Sequence, residues 1–578
     1  MFRKWMLKMF TASQRLRTRE GGAVALPATF ALPGLSAGSA YVAVALLLPA
    51  FFFLYGLDAF PLRDNNEGLY AEIAREMLET GNYVVPHLNG VPYIEKPPLL
   101  YWLCALSMKL LGPTPAAARL VSAGSMLALS VGLFQFARMH GNARAGVFAS
   151  VGAASALPVA LVAHVVLFDP LLTALLGGCL LCYLHSYLVH SRKALRWAAF
   201  LLALAVLDKG GVALALAGGT VALFLLLVRD RQGWRRLFDP AAIAVLLLVA
   251  GVWHLAAALM QPGFAWFYFI NEHVLRFLGQ RQPDDYHHGP LWFYLPRLLL
   301  MLAPWTPFLL LLAPARGASP GTSGTIVRFC QAATLFPLLF FSLSAAKADY
   351  YLMVALPGLA LWLGIELAQR LAAPDRLVAA CWGVSLGLAA LALFAAPGAF
   401  SGSVPLPVLA MLGAAALGLA IFGRSLFLRQ RTTRARELAL LAVALLSAAA
   451  LVPLCQVAGE RGARDSSVYV ARILAGHEGG SRSVFIYRDF EDTFSTLPFY
   501  LGQPVPLVDS ASRDLQFGCA RHGVARCLTI DEFRHARARG PVAVVVQAAR
   551  ADEFLALAGP GRWRAEWVGE KMVLFDAR

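Results

Sequence analysis

The sequence predicts a polytopic α-helical membrane protein that ends in a small soluble α/β domain. Three observations carry that prediction. The chain of 578 residues is 58% hydrophobic and only 15% charged, with a mean hydropathy of +0.62, more apolar residue than a soluble core needs. Apolar runs near the ~20 residues that cross a bilayer recur from Tyr41 down to the neighbourhood of Gln456. From Val457 onward the runs shorten and alternate with charge.

The runs resolve into about thirteen candidate spans, near 40–57, 116–137, 143–163, 168–189, 195–207, 210–228, 240–260, 291–314, 327–345, 350–370, 377–397, 405–423 and 437–456. The run 99–111 is short and amphipathic and carries Lys109, so it reads as an interfacial helix. The organisation is then an N-terminal arm (1–39), a membrane body (40–456) with long loops at 58–115 and 261–290, and a soluble module (457–578). In that module VFIYR and VAVVVQ read as strands, with the helical TIDEFRHARARG between them.

Basic residues set the orientation. With the N-terminus in the cytoplasm, Arg3, Lys4 and Lys8 and the runs HSRKALR, RDRQGWRR and RSLFLRQRTTRAR all fall on the cytoplasmic side. Both long loops and the C-terminal module then lie outside. The net charge of +16 is accounted for by this bias, and no soluble basic domain is left over to bind nucleic acid. The first apolar run begins so far into the chain that it reads as a retained anchor rather than a cleaved signal. Most cysteines lie in or beside apolar segments as small hydrophobes. Cys519 and Cys527, in the exported module, are either a disulfide or two free thiols. No Cys/His spacing resembles a zinc finger.

Ionisable residues near membrane depth are costly, and their position marks function. Here they gather on the outer side: Asp64 and Glu67, Glu95 and Lys96 in YIEKPPLLYW, Asp169 in HVVLFDP, Lys209 in LDKGG, the EHVLRF and GQRQPDDYHHGPLWFYLP segments, and Lys347 and Tyr350 in SAAKADYY. Each has a plain reading. Glu95 and Lys96 form an interfacial pair, Asp169 caps a helix starting at Pro170, Lys209 and Lys347 snorkel, and the aromatics form a membrane belt. Their shared side argues for more. Carboxylates beside Lys, Arg and Tyr suit transfer of a group held on a phosphate, because cations offset charge on the leaving phosphate and Arg grips it bidentately. A carboxylate in such a set acts as a base, stabilises positive charge on a sugar ring, or binds a metal with His273, His287 or His288. No nucleotide-binding fingerprint is present. An activated donor used outside the cytoplasm is expected to be lipid-linked.

The run NNEGLYAEIAREMLETGNYVVPHLNGVPYIEKPPLLYW is followed in order by LFDP, LDKGG, NEHVLRF with HHGPLWFYLP, KADYYLMVALP, and PFYLGQPVPLV in the last module. In this the chain resembles the bacterial 4-amino-4-deoxy-L-arabinose transferases, members of the membrane glycosyltransferase superfamily that uses polyprenyl-phosphate sugars and includes the protein O-mannosyltransferases. The resemblance implies a GT-C type fold, with two interfacial helices in the first loop and a periplasmic α/β domain. It implies transfer of aminoarabinose from undecaprenyl phosphate to a lipid A phosphate at the periplasmic face of the inner membrane, which raises resistance to polymyxin and other cationic peptides. The enzyme is expected to be monomeric in the phospholipid bilayer, without a nucleotide cofactor. The resemblance assigns Lys96, Arg276 and Arg281 to the carrier phosphate, together with Tyr93, Tyr70, Lys209, Lys347 and Tyr350. It assigns Glu95 and His273 to a divalent metal and Asp169 to an essential carboxylate. A related transferase acting on protein or another glycan is the alternative. A flippase is the alternative from another class, and internal repeats with helices broken at the midplane would mark it.

In this superfamily an Asp-Glu pair precedes the Tyr-Ala-Glu run, and its Asp is held to be catalytic. Here the pair is Asn66-Glu67. Asn is isosteric with Asp but carries no charge and takes no proton. Three readings follow: a chain altered to hold a substrate, a natural one in which Asp64 takes over, or one with lost activity.

Overall fold

The computed structural model describes residues 37–284, 288–312, 322–371, 375–395, 398, 406–476, 482–522 and 526–576. Nearly all of the N-terminal arm, and His287, lie outside the described residues. Among these residues, nine helices are long and apolar enough to cross a membrane, and two bent pairs raise the number to eleven. The nine match the expected spans beginning near 116, 168, 210, 240, 327, 350, 377, 405 and 437. The chain is thus a multi-span helical membrane protein. Pro240–Met260 shows the lipid-facing side of such a bundle, with Leu247, Leu248, Leu255 and Leu259 all exposed.

The other expected spans differ for visible reasons. The run 143–163 is two helices, Ala143–Ser155 and Leu157–Ala163, bent by 67°, where Pro158 in the first turn of the second helix cannot continue the first. The run 291–314 bends by 111° between Leu291–Met301 and Thr306–Leu312, across Pro304 and Pro307. The two breaks are stitched together: Leu157 N–H donates to the Ala303 carbonyl at 2.9 Å and Trp305 Nε1 to Ser155 Oγ at 2.9 Å. Backbone groups freed by the bends are thereby satisfied inside the protein. The first apolar helix, Gly38–Leu54, is short. Arg192–Lys209 carries charge at both ends and turns directly into Gly211–Val228 through Gly210 at φ +76°.

The first outer loop holds helices Asn66–Thr80 and Leu99–Leu111, joined by a hairpin pairing His87–Leu88 with Val91–Pro92. Asn89 and Gly90 both take positive φ there, as a tight Asn-Gly hairpin turn requires. The C-terminal domain is a six-stranded mixed sheet. Cys527–Leu528, Leu507–Val508, Ser483–Tyr487 and Val542–Gln547 run parallel, and Lys571–Asp576 and Trp563–Val568 complete the sheet antiparallel. Helix Ile530–Arg539 starts at a capping box of Thr529 and Glu532. Cys519 and Cys527 are disulfide-bonded. One continuous core, including Leu69, Ile73, Phe494, Leu497 and Phe575, joins this domain to the first loop, so the two are packed as a unit.

Candidate active site

Helix Asn66–Thr80 begins at the residue that stands where the resemblance leads one to expect an aspartate. Asn65 turns the chain at φ 79°, its side-chain oxygen takes the Asn66 N–H at 2.6 Å, and its amide donates to Asp492 at 2.6 Å. One turn further on, the Tyr70 hydroxyl donates to Asn66 Oδ1 at 2.9 Å. Tyr70 in turn lies edge-on to Phe168, with ring centres 4.9 Å apart.

The acids flanking Asn66 are committed elsewhere. Arg119 grips Glu67 with Nε to Oε1 at 2.7 Å and Nη2 to Oε2 at 2.9 Å, and the N–H groups of Arg63 and Val166 fill the remaining acceptor sites. Arg119 also donates to the carbonyls of Leu57, Phe60 and Pro61. Asp64 accepts from the Thr496 N–H and hydroxyl at 2.7 Å each, from the Ser467 hydroxyl at 3.0 Å and from Lys571. A carboxylate has about four lone-pair sites, and in both residues all are used. The structure therefore gives Glu67 and Asp64 anchoring roles in place of the expected catalytic ones, and Asp64 does not stand in for the acid absent at 66.

The cations meet elsewhere. Helix Trp266–Leu275 is a π-helix, a wide turn often found at functional sites. The Asn271 side chain pins the returning loop, donating to the Gln282 carbonyl at 2.7 Å and accepting its N–H at 2.8 Å. That return brings Arg281 onto Glu272 and Glu95. Arg276 Nη1 donates to Glu272 at 2.9 Å, and Lys96 Nζ stands 3.5 Å from both Glu95 and Glu272. The Tyr93 hydroxyl donates to Glu95 at 3.3 Å. Burial opposes ionisation of Glu272, but Lys96, Arg276 and Arg281 outweigh it and hold its carboxyl at about 2. Lys96, 15% exposed, makes only these loose contacts and is well placed to meet an incoming anion.

A second pair lies nearby. Asp169, 2% exposed, takes Lys209 Nζ on both oxygens at 2.7 Å, and Lys209 sits 4.5 Å above the Tyr351 ring and 5.9 Å from Tyr350. The capping reading of Asp169 fails, because Leu167 occupies the cap and no side chain bonds there. Tyr70 joins the two clusters: burial first, then Tyr350, Tyr101, Asp514 and Glu95 raise its phenol well above the ordinary value.

Lys347 and His273 stand apart. Lys347 Nζ donates to the carbonyls of Phe341, Ser342 and Ser344 at 2.6–2.8 Å, capping the end of helix Thr322–Leu343 with all three of its N–H groups. In this structure it serves as a helix cap rather than joining the Lys96–Arg276–Arg281 cluster. His273 donates from Nδ1 to the Tyr268 carbonyl at 2.6 Å and accepts the Gly211 N–H on Nε2 at 2.9 Å. A Cβ on Gly210 would lie 2.3 Å from that Nε2, which is why LDKGG needs a glycine there. With both ring nitrogens engaged, and with Glu95 turned to Arg281, the expected metal pair does not fit a metal. No group of three or more His, Cys, Asp or Glu among the described residues is placed to hold one.

Two acids were not singled out from the sequence. Asp208 is fully buried, and neither carboxylate oxygen has a hydrogen-bond partner among the described residues. Asp514, from the C-terminal domain, stands 3.7 Å from Arg281 Nη2. Burial first, then Glu95 and Glu491, push its carboxyl well above the usual range. Three cations thus meet Glu95, Glu272 and Asp514 in one cluster, and burial opposes ionisation of the last.

A family model described as dolichyl-phosphate-mannose-protein mannosyltransferase matches residues 95–255. The undecaprenyl phosphate-alpha-4-amino-4-deoxy-L-arabinose arabinosyl transferase of Pseudomonas paraeruginosa is 35% identical over 360 residues, 61% of this chain and 64% of that one. Its namesake in Aeromonas hydrophila is 31% identical over 56% of this chain and 59% of its own length. The matches thus span about six-tenths of these relatives. In three dimensions, ArnT from Cupriavidus metallidurans bound to undecaprenyl phosphate superposes with a TM-score of 0.78 at 24% identity, covering 93% of this chain and 97% of that one. The helical body and the sheet domain therefore share the fold of that protein. In sequence the chain is thus similar to the bacterial 4-amino-4-deoxy-L-arabinose arabinosyl transferases over about six-tenths of their length, and in fold to ArnT over nearly the whole chain.

Proposed function

We propose that this chain transfers 4-amino-4-deoxy-L-arabinose from undecaprenyl phosphate to a phosphate of lipid A, at the periplasmic face of the inner membrane. The observation that carries the proposal is the cation-rich cluster of Lys96, Arg276 and Arg281 around Glu95 and Glu272, beside the Tyr70–Asn66 pair. The disulfide in the C-terminal domain supports its placement in an oxidising compartment, in line with the basic cytoplasmic segments.

In the reaction, an acceptor phosphate oxygen attacks the anomeric carbon, the bond from that carbon to the carrier phosphate breaks, and undecaprenyl phosphate leaves. The attacking oxygen is already anionic, so no strong base is needed. Lys96, Arg276 and Arg281 offset the charge gained by the leaving phosphate. Asp169, held by Lys209, is the carboxylate nearest in role to one that steadies positive charge on the ring. Tyr70 orients Asn66, whose neutral amide supplies a hydrogen-bonding group but no charge.

The test is expression of this chain and of its Asn66→Asp variant in a Gram-negative strain lacking its own transferase, with lipid A mass as the readout. An aminoarabinose increment from either form supports the proposal. Its appearance only with Asn66→Asp shows that the neutral side chain at 66 disarms the site. No increment from either form, with both well expressed, overturns the donor or acceptor assigned here.

A further inference from the structure

The segment 512–518 of the C-terminal domain closes over the cationic cluster. Arg513 Nη1 donates to the Asp284 carbonyl at 3.3 Å, and the Phe517 ring packs 4.5 Å from Phe267, so the segment is seated on the same loop that carries Arg281. Glu491 is its mount. The Glu491 side chain accepts the Asp514 N–H at 2.7 Å and the Ser512 hydroxyl, while its backbone carbonyl accepts the Asn65 N–H at 2.9 Å. One residue therefore fixes both Asp514 and the turn that leads into Asn66.

The Asp514 carboxyl group, 17% exposed, lies 3.7 Å from Arg281 Nη2 and hydrogen-bonds with Glu95. Arg281 itself is 2% exposed in its side chain and is shared out in space: its Nε serves Glu272, and its Nη2 faces Glu95 and Asp514. A guanidinium presents its donors in a rigid planar fork, so acids placed around that fork set the plane it offers to an anion. Glu95 and Glu272 come from the two outer loops of the membrane body. Only Asp514 comes from the C-terminal domain.

We propose that Asp514 is a positioning residue of the transfer site: through Arg281 and Glu95 it holds the phosphate-binding fork in register, and makes the C-terminal domain a working part of the site. This rests on reading the cluster as the carrier-phosphate site. The residue acts through Arg281 rather than by touching the reacting atoms. A loss of affinity is therefore expected on the roughly tenfold scale at which such supporting partners act.

The experiment measures binding of undecaprenyl phosphate by the full chain in lipid nanodiscs, together with melting temperature, for the parent, Asp514→Ala, Asp514→Asn, Arg281→Lys and the Asp514→Ala/Arg281→Lys double variant. The expected result is a roughly tenfold weaker affinity for Asp514→Ala, a smaller loss for Asp514→Asn, an unchanged melting temperature, and a double variant no weaker than Arg281→Lys alone. Parent-like affinity in Asp514→Ala, beside a parent that binds, overturns the positioning role and leaves the function standing. Additive losses overturn it too, including where Asp514→Ala melts early. A parent that does not bind undecaprenyl phosphate removes the carrier-phosphate reading and this role with it.

Discussion

Two charged assemblies of this protein are built on opposite plans. The Glu67–Arg119 and Asp64–Lys571 pairs are closed: each carboxylate has all its acceptor sites filled by the protein, Arg119 is 0% exposed, and the spare donors of Arg119 go to backbone carbonyls. The Lys96–Arg276–Arg281 assembly is open at Lys96, whose contacts are 3.5 Å long and whose side chain is 15% exposed, and three separate segments supply its acids. A carboxylate beside an arginine is thus no evidence of catalysis until its lone pairs have been counted. A saturated pair fixes the chain, whereas an open one is completed by a ligand.

The sharpest way to break this comparison is Arg119→Ala. It leaves Glu67 buried without its partner, and the loss should be about 3–5 kcal/mol, seen as a collapse in melting temperature and in recovery of folded protein from detergent. Lys96→Ala should do the reverse, leaving a folded protein whose transfer rate, in whichever form of residue 66 is active, falls about 10²–10³-fold. A fold loss of the same size as in Arg119→Ala would place Lys96 among the anchors. Lys347→Met should cost about 1–3 kcal/mol by stranding buried carbonyls while donor KM stays at the parent value. A raised KM with unchanged melting would return Lys347 to the phosphate site.

The smallest effect concerns pH. Glu76 accepts the Gly90 N–H at 3.0 and 3.1 Å, and burial, then the charge of Glu72, push its carboxyl up from 4.5 to about 8. The folded state therefore keeps this proton where the unfolded chain has lost it. The stability so gained is full below about 4.5 and is lost as pH rises to about 8. Melting of Glu76→Gln should fall less than that of the parent across this window, and identical slopes would show that Glu76 is already ionised in the fold.

Much of the fold was legible because apolar runs and their breaks are local properties. The bends at Pro158 and Pro304 were not read, although a proline within an apolar run announces them. Glu95, Lys96, Asp169 and Lys209 stood out as charge embedded in apolar surroundings, and the structure places them in two neighbouring clusters. Lys347 stood out in the same way, yet its place just past a 22-residue apolar helix was the signature of a C-terminal cap. Asp208 was visible inside LDKGG and was passed over for its neighbour Lys209. Asp514 and Lys571 had no local signal. Each is an ordinary polar residue in its own stretch, and its partner lies hundreds of positions away, so only the folded chain joins them.

That distance has a consequence for how the protein is made. Asp64 and Lys571 are 507 residues apart. At a synthesis rate of about 5–20 residues per second, roughly 25 to 100 s separate the appearance of the two. Through that interval the acid of the first loop has no cation to receive it. The loop must therefore stay hydrated and unpacked until the last strand arrives. Assembly of this face is a late event, and a chain cut short before its final strand leaves the acid of the first loop without its cation.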